Sequence, residues 1–565
     1  MSGQVPNDGQ EWPEGKVELS RRHFIGLGTG VTATVALGTL LASCGGDDSI
    51  PDTETGAGAT NDTEVPGKDA NESPTTPKRG GELKWALSAD PPNLDPHVST
   101  GYAARAVKMQ IYNCLVRYWS DGSIYPDLAE AWHISDDGLE YTFSLRRGVV
   151  FHDGTPFTAA DVEASIRRIQ TPEVGALTKV PLSVIKEIVI DDDYTVRFRV
   201  DQPNAALLPY LALHESAIMS KQFLDSGADP NTTMMGTGPF KFVTREQGVR
   251  IEVERNDNYF REGLPYLDKI IFIPYPNEDT RIAALKSGEV DIAEYVPWKD
   301  MDAIEQDPDL ELRVTPASSF MYLIYNVDRP PFDDVKFRRA LGYSFDRNAI
   351  VEAAFFGRGS VITGGLIPES SWAHNPDLVG TYSYDPEKAK QLLSEAGYSS
   401  GVTVTLLSTS QYGMHQSTAE VCQQNLEAIG IDCQLELVDW ATITRRHNEK
   451  DYEFRVQGTT TNILDPDLLT TFLHSEAVNT SRDGLADEQI DQWLAEARAT
   501  LSEEERKNLY HQIEQRMLEI APFTLLCWRD DGYGVRRNVV GFEVFPGALV
   551  FYSPWSVEQV SLASS

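Results

Sequence analysis

Residues 151–162 read Phe151-His152-Asp153-Gly154-Thr155-Pro156-Phe157-Thr158-Ala159-Ala160-Asp161-Val162. Asp153-Gly154 is a turn dipeptide. Thr158 stands where an N-cap belongs, with Asp161 three residues on, so a helix is expected from Ala159 to Ile169. Upstream, Tyr141-Thr142-Phe143-Ser144-Leu145 alternates like a strand. Strand, turn and capped helix in close succession indicate a mixed α/β protein.

The same texture extends in both directions. Gly81–Leu87 alternates as a strand and closes at Pro91-Pro92, and Ala103–Val116 carries helix-spaced apolar residues. Lys186–Val200 reads as a hairpin turning at Asp191-Asp192-Asp193, followed by strands at Gly236–Val243, Val249–Glu254 and Lys269–Pro274. Glycines in Gly236-Thr237-Gly238-Pro239 permit a tight loop. After the strand Leu310–Val314, longer helices are expected at Asp334–Phe345, Pro386–Ala396, Thr418–Ile429 and Ser502–Glu519, with strands Val402–Leu407 and Asp432–Val438 between them. The last forty or so residues, with Pro546 and Pro554, read as strands and turns. Such a succession predicts two lobes connected more than once, an arrangement suited to hinge closure around a ligand.

Charge narrows the function. The 565 residues carry 49 basic and 85 acidic side chains, a formal net charge of -36, and only 17 of the basic residues are Lys. A nucleic-acid partner is excluded, because phosphates are bound by neutralising them. Electrostatic adhesion to an anionic bilayer is excluded too. A lysine-poor, carboxylate-rich surface suits a halophile, whose salt screens self-repulsion, or an acidic secreted protein.

The first 79 residues address the protein rather than fold it. Arg21-Arg22-His23-Phe24-Ile25 precedes an uncharged Gly/Ala/Thr-rich run that ends at Leu41-Ala42-Ser43-Cys44. Residues 1–43 thus resemble a twin-arginine lipoprotein signal, with Cys44 as the lipidated residue. Residues 44–79 are a polar, acidic flexible linker. The expected location is the outer face of the cell membrane, on the periplasmic or extracellular side. Asn61, Asn71, Asn231 and Asn479 lie in short glycosylation sequons.

Collinear blocks across residues 80–555 carry a resemblance. They include Leu94-Asp95-Pro96, Pro126-Asp127-Leu128-Ala129-Glu130-Ala131-Trp132, the 151–162 stretch, Gly236-Thr237-Gly238-Pro239-Phe240 and Glu254-Arg255-Asn256-Asp257-Asn258-Tyr259-Phe260. Pro330-Pro331-Phe332-Asp333-Asp334-Val335-Lys336-Phe337-Arg338-Arg339-Ala340-Leu341 and Tyr384-Asp385-Pro386-Glu387-Lys388-Ala389 follow in order. Together they resemble the family 5 extracytoplasmic solute-binding proteins that serve oligopeptide, dipeptide and nickel ABC importers. The resemblance implies an α/β periplasmic-binding-protein fold with two lobes closing over a central cleft. Lobe one would be 80–314 plus 522–565, with a subdomain at about 113–205, and lobe two 315–521. The implied partners are a peptide or another small organic solute, a permease and ATPase complex, and the membrane through the lipid anchor. The protein reads as a monomer with no cofactor and no metal.

Transferred onto this chain, the family's ligand-pairing segments are Thr100-Gly101-Tyr102 and Gly458-Thr459-Thr460-Thr461-Asn462. Trp440 matches a cleft tryptophan, and Tyr295 and Trp298 fall in another cleft-lining stretch. Aromatic residues suit such a site because they line a cavity without formal charge. One departure stands out. Peptide binders typically carry a Trp and an Asp where this chain has Thr459 and Asn462. An amide accepts a hydrogen bond but offers no ion pair to an α-ammonium. The solute classes left open are therefore a peptide, a modified peptide, a sugar-like compound or another small organic molecule.

Two other features have their own readings. Cys422, on a helix running to about Ile429, and Cys433, on the strand returning beneath it, each lie ~10 Å from the intervening turn. In an exported protein a disulfide between them is the expectation, against free buried thiols. Gly397-Tyr398-Ser399-Ser400-Gly401 matches the G-x-S-x-G of serine hydrolases. A nucleophile elbow needs strand, turn, helix, whereas here a helix precedes and a strand follows. The chain reads as a non-enzyme, the lesser alternatives being a ligand-sensing lipoprotein on the same scaffold and a serine hydrolase.

Overall fold

The computed structural model describes residues 77–98, 101–461 and 463–563, and Pro77 onward forms one compact unit. The signal, Cys44, nearly all of the linker, Thr100 and Asn462 lie outside the described residues.

A single mixed sheet organises the unit. Its order is Ile431–Leu437, Val402–Ser408, Phe454–Thr459, Leu310–Tyr325, Phe523–Arg536, Ile292–Glu294, Glu82–Leu87, Lys269–Pro274, Arg250–Arg255, Phe240–Glu246. The short strand Gly359–Val361 pairs on Phe523–Arg536 beside this path. A separate four-stranded sheet, Ala129–Ile134, Glu140–Leu145, Thr195–Val200 and Ile185–Asp192, lies within residues 113–205.

The two longest strands run antiparallel through the middle of the large sheet. Leu310–Tyr325 pairs with Phe523–Arg536 from Leu310↔Arg536 to Ile324↔Phe523, with a register shift between Thr315 and Ser319. Ala317, inside that shift, has a left-handed φ of 52°. The strand expected to stop at Val314 therefore bulges and continues for eleven residues. Bulges bend and twist a strand locally without ending its pairing.

The opening stretch folds as its residues dictate. The Thr158 amide donates to Asp161 Oδ2 at 2.8 Å, and the helix runs Ala159–Gln170. The preceding turn docks on the glycine loop. His152 N donates to Gly236 O at 2.9 Å, and His152 Nε2 lies 3.1 Å from Gly238 O. Gly238 N in turn donates to Ile111 O at 2.9 Å. A Cβ on Gly236 would sit 1.9 Å from Ile111 O, so close backbone approach, not a special φ, requires glycine here.

Four expectations are corrected. The helix expected over 103–116 is Tyr102–Ile111, because buried Asp127 accepts from the Cys114 amide at 3.0 Å and diverts the chain into the strand Val116–Tyr118. The helix expected from Thr418 begins five residues earlier, at Gly413, and buries His415. The C-terminal stretch is largely a 3₁₀ helix, Gly547–Gln559, rather than strands. The hydroxyls of Ser553 and Ser556 hold it by accepting from the amides of Phe545 and Glu543, each at 3.0 Å. Finally, Cys422 and Cys433 are separate buried thiols rather than a disulfide. Gln423, the next residue round the helix, spans to the strand by donating to Cys433 O at 2.8 Å. The Cys422 thiol lies among groups that include Cys433, Arg347 and Cys527.

Candidate functional site

Gly101 opens the first helix with φ 94°, a conformation that side-chain-bearing residues rarely adopt. This delivers Tyr102, buried, against Tyr295 with ring centroids 5.2 Å apart and against Phe551 at 4.3 Å. Tyr295 is itself held left-handed, φ 51°, and Arg281 Nη2 donates to its carbonyl at 2.9 Å. Its ring meets the edge of Trp298 at 5.8 Å, and Trp298 Nε1 donates to Asp530 O at 2.6 Å. Three of the sequence-picked residues, Tyr102, Tyr295 and Trp298, thus form one aromatic wall.

The second group gathers around Trp440. Asp439 caps its helix by accepting from Thr442 N at 2.9 Å, and the Trp440 amide donates to Gln411 Oε1 at 3.2 Å. The indole, half-buried, packs edge-on to Tyr412 at 5.6 Å and His415 at 5.3 Å. Gly458 lies on the strand Phe454–Thr459, paired with Met321, while Thr459 pairs with Phe320. Thr460 Oγ1 donates to Thr461 O at 3.1 Å, and Thr461 is buried. Thr100 and Asn462 lie outside the described residues.

Arg529 joins the two groups. It projects from Phe523–Arg536 and is only 6% exposed. Its Nη1 donates to Tyr295 OH at 3.3 Å and to Met414 Sδ at 2.9 Å, and its guanidinium stands 5.5 Å from the Trp298 ring. A Cβ on Gly458 would lie 3.3 Å from Arg529 Nη1 and 3.4 Å from His415 Nε2. Burial opposes the charge on Arg529, but Tyr295 and Asp531 more than offset it and raise its pKa. His415 goes the other way: burial, then Arg529 and Arg455, hold it at about 3, so its imidazole is neutral. The Tyr102 hydroxyl is buried with no hydrogen-bond partner among the described residues.

Sequence reasoning found the aromatic residues and missed Arg529, Met414 and His415. A signal existed for Arg529. Arginine after Leu525-Leu526-Cys527-Trp528, followed by two aspartates, places charge on an otherwise apolar strand, and buried charges are paired or functional.

A pocket of about 170 Å³ adjoins this site and shares Trp440 and Thr459 with it; Tyr322, His447, Arg455 and Arg482 also line it. Asp465 and Asp467, the nearest carboxylates to Asn462 in sequence, are committed elsewhere. Arg506 Nη2 donates to Asp465 at 2.7 Å, and Arg498 Nη2 donates to Asp467 at 3.0 Å. The Gly397–Gly401 loop follows the helix Pro386–Glu395 and leads into the strand Val402–Ser408, with Ser399 exposed. Among the described residues no three His, Cys, Asp or Glu side chains converge as a metal site. No described helix is long and apolar enough to cross a membrane.

Comparison with known proteins agrees with this architecture. Residues 123–480 match the family described as "Bacterial extracellular solute-binding proteins, family 5 Middle". The glutathione-binding protein GsiB of Salmonella choleraesuis is 31% identical over 471 residues, covering 82% of this chain and 91% of the relative. The dipeptide-binding protein of Escherichia coli is 30% identical over 497 residues, covering 82% and 92%. Among solved structures, the periplasmic binding protein AgaA from A.tumefacien in complex with agropinic acid superposes with a TM-score of 0.79 at 39% identity, covering 86% of this chain and 99% of that one. The two-lobed periplasmic-binding-protein fold expected from the sequence is therefore present, and the chain belongs to family 5 of the bacterial extracellular solute-binding proteins.

Proposed function

We propose that the protein captures a peptide or peptide-like small organic solute outside the cell membrane, closes two lobes over it and delivers it to the permease of an ABC importer. Arg529 carries the reading. One buried guanidinium touches Tyr295 from one aromatic group and Met414 beside the other, so a solute held there contacts both. Glutathione, dipeptides and agropinic acid, named for the relatives and the solved structure, are all small polar organic molecules. Binding energy then shifts an open–closed equilibrium rather than driving chemistry.

The lobe boundaries 80–314 with 522–565, and 315–521, are part of the proposal. The bulge at Thr315–Ser319 supports them, because a register shift in a central strand is a natural point of bending. The four-stranded sheet supports the subdomain at 113–205. Gly101, Tyr102, Tyr295, Trp298, Trp440, Gly458, Thr459, Thr460 and Thr461, with Thr100 and Asn462, are its ligand-binding residues. Twin-arginine export, a lipid on Cys44, a halophilic habit and a monomeric state complete it, supported by the order of motifs and the charge in the sequence.

Mass spectrometry of protein purified from its native source tests the reading. A stoichiometric small organic solute is expected. Its absence, together with no calorimetric binding to peptides or amino-acid conjugates, would overturn it.

A further inference from the structure

A second set of contacts joins the two lobes and uses none of the solute-binding residues named above. It begins just beyond the segment 458–462. Leu464 of lobe two reaches lobe one, where a Cβ on Gly122 would lie only 3.2 Å from Leu464 Cδ1. Leu501, 52% exposed, sits in the same way over Gly138, whose Cβ would be 3.2 Å from Leu501 Cδ1. Both glycines stand in turns at positive φ, 80° and 69°. Gly122 N donates to Trp119 O at 2.9 Å and Gly138 N to Ser135 O at 2.8 Å. Glycine gives each turn its left-handed corner and leaves room for a leucine of the other lobe.

Polar groups complete the crossing. Asp467 is buried, and Arg498 Nη2 and Thr470 Oγ1 each donate to it at 3.0 Å within lobe two. From lobe one, Tyr210 OH donates to its Oδ2 at 3.1 Å. The helix Glu488–Ala499 ends here, and its last carbonyls have no intrahelical partner. Thr500 N donates to Glu496 O and Arg506 Nε to Ala497 O, both from lobe two. The Arg498 carbonyl is answered from lobe one instead, by Ala205 N at 2.9 Å. That amide is aimed by its own loop: Tyr141 OH donates to Asn204 O at 2.7 Å and Ala206 N to Asn204 Oδ1 at 3.0 Å. Parting the lobes would hand a carbonyl and a carboxylate back to water and uncover apolar surface on both leucines.

We propose that these contacts are a clasp, built from lobe surface alone, that holds the lobes shut whether or not solute is present. One amide–carbonyl bond, one hydroxyl–carboxylate bond and two leucines in glycine seats need nothing from the solute. The clasp rests on the solute-capture reading for its lobe boundaries and adds regulation to it. The empty protein is biased toward closing, and a captured solute leaves no faster than the clasp opens.

Hydrogen–deuterium exchange on full-length protein freed of copurifying solute reads the clasp at the Ala205 amide without a probe ligand. Exchange there is expected to be about a hundredfold slower than in an unstructured chain. Tyr210→Phe removes only the hydroxyl, and Leu501→Ser changes an exposed side chain of the opposite lobe. Each should speed exchange at Ala205 about tenfold and leave the amides of the helix Ala159–Gln170 at their wild-type rates. Leu501→Ser keeps the test decisive if Tyr210→Phe fails to fold. An Ala205 amide that exchanges at the unstructured rate in solute-free wild type overturns the clasp. So does an unchanged Ala205 rate in the folded variants. Those results leave solute capture standing; failure of that reading appears instead as native protein that yields no solute and binds no peptide or amino-acid conjugate.

Discussion

His152, half-buried, and His415, buried, are both neutral, for different reasons. Burial pushes His152 down to about 4, with the Gly238 carbonyl at Nε2 pulling the other way. Its backbone amide is tied to Gly236 O, so turn and glycine loop close on one another. His415 is held at about 3 by burial and by two arginines, Arg529 and Arg455, with Tyr412 and Trp440 against its ring. One histidine is locked among main-chain groups, the other ringed by side chains from separate elements. Closure through main-chain groups marks a scaffold. Converging side chains with cations among them mark a site.

Substitution at the glycine loop should do the most damage. Gly236→Ala places a methyl 1.9 Å from Ile111 O and is expected to cost about 3 kcal/mol in urea unfolding. A loss below about 1 kcal/mol would break the scaffold half of the comparison. On the other side, Trp440→Ala and Asn462→Ala should each weaken solute binding about tenfold with unchanged melting. Calorimetric affinity that stays the same in both removes the site assignment.

The pH response sharpens the contrast further. Both histidines have folded pKa values below the ordinary 6.5, so the unfolded chain takes up protons the native state refuses. Their contribution to stability is present above about 6.5 and is lost as pH falls, through about 4 for His152 and about 3 for His415. His152→Gln should therefore flatten the fall in unfolding free energy between pH 6 and pH 4.5 by close to one proton. Arg529→Met should raise the His415 pKa measured by NMR and leave that of His152 in place. A shift of His152 instead would mean the two environments are coupled.

Local chemistry made much of the fold legible. Thr158 with Asp161, Asp385 before Pro386 and Ser502 before three glutamates announce helix starts within one residue of where they occur. Elements decided by distant partners were not legible. The apolar run at Val550–Val557 fits strand or helix equally, and Pro554 with the buried serines settles it as 3₁₀. Met414 and His415 follow a glycine that reads as loop, and only packing against Trp440 draws them into a helix. At the site, aromatic residues stand out by type, so Tyr102, Tyr295, Trp298 and Trp440 could be chosen in advance. Arg529 stood out only as a charge on an apolar strand, because its role lies in contacts 234 residues away at Tyr295 and 115 away at Met414.

The claim that the site is assembled around Arg529 is tested most directly by titrating solute-free protein with the solute recovered from native protein, by calorimetry. Arg529→Met, checked for an unchanged fold, should lower affinity about tenfold or more, while His152→Gln should leave it at the wild-type value. Equal affinity in wild type and Arg529→Met, or a loss at His152→Gln as large as that at Arg529→Met, would contradict the account.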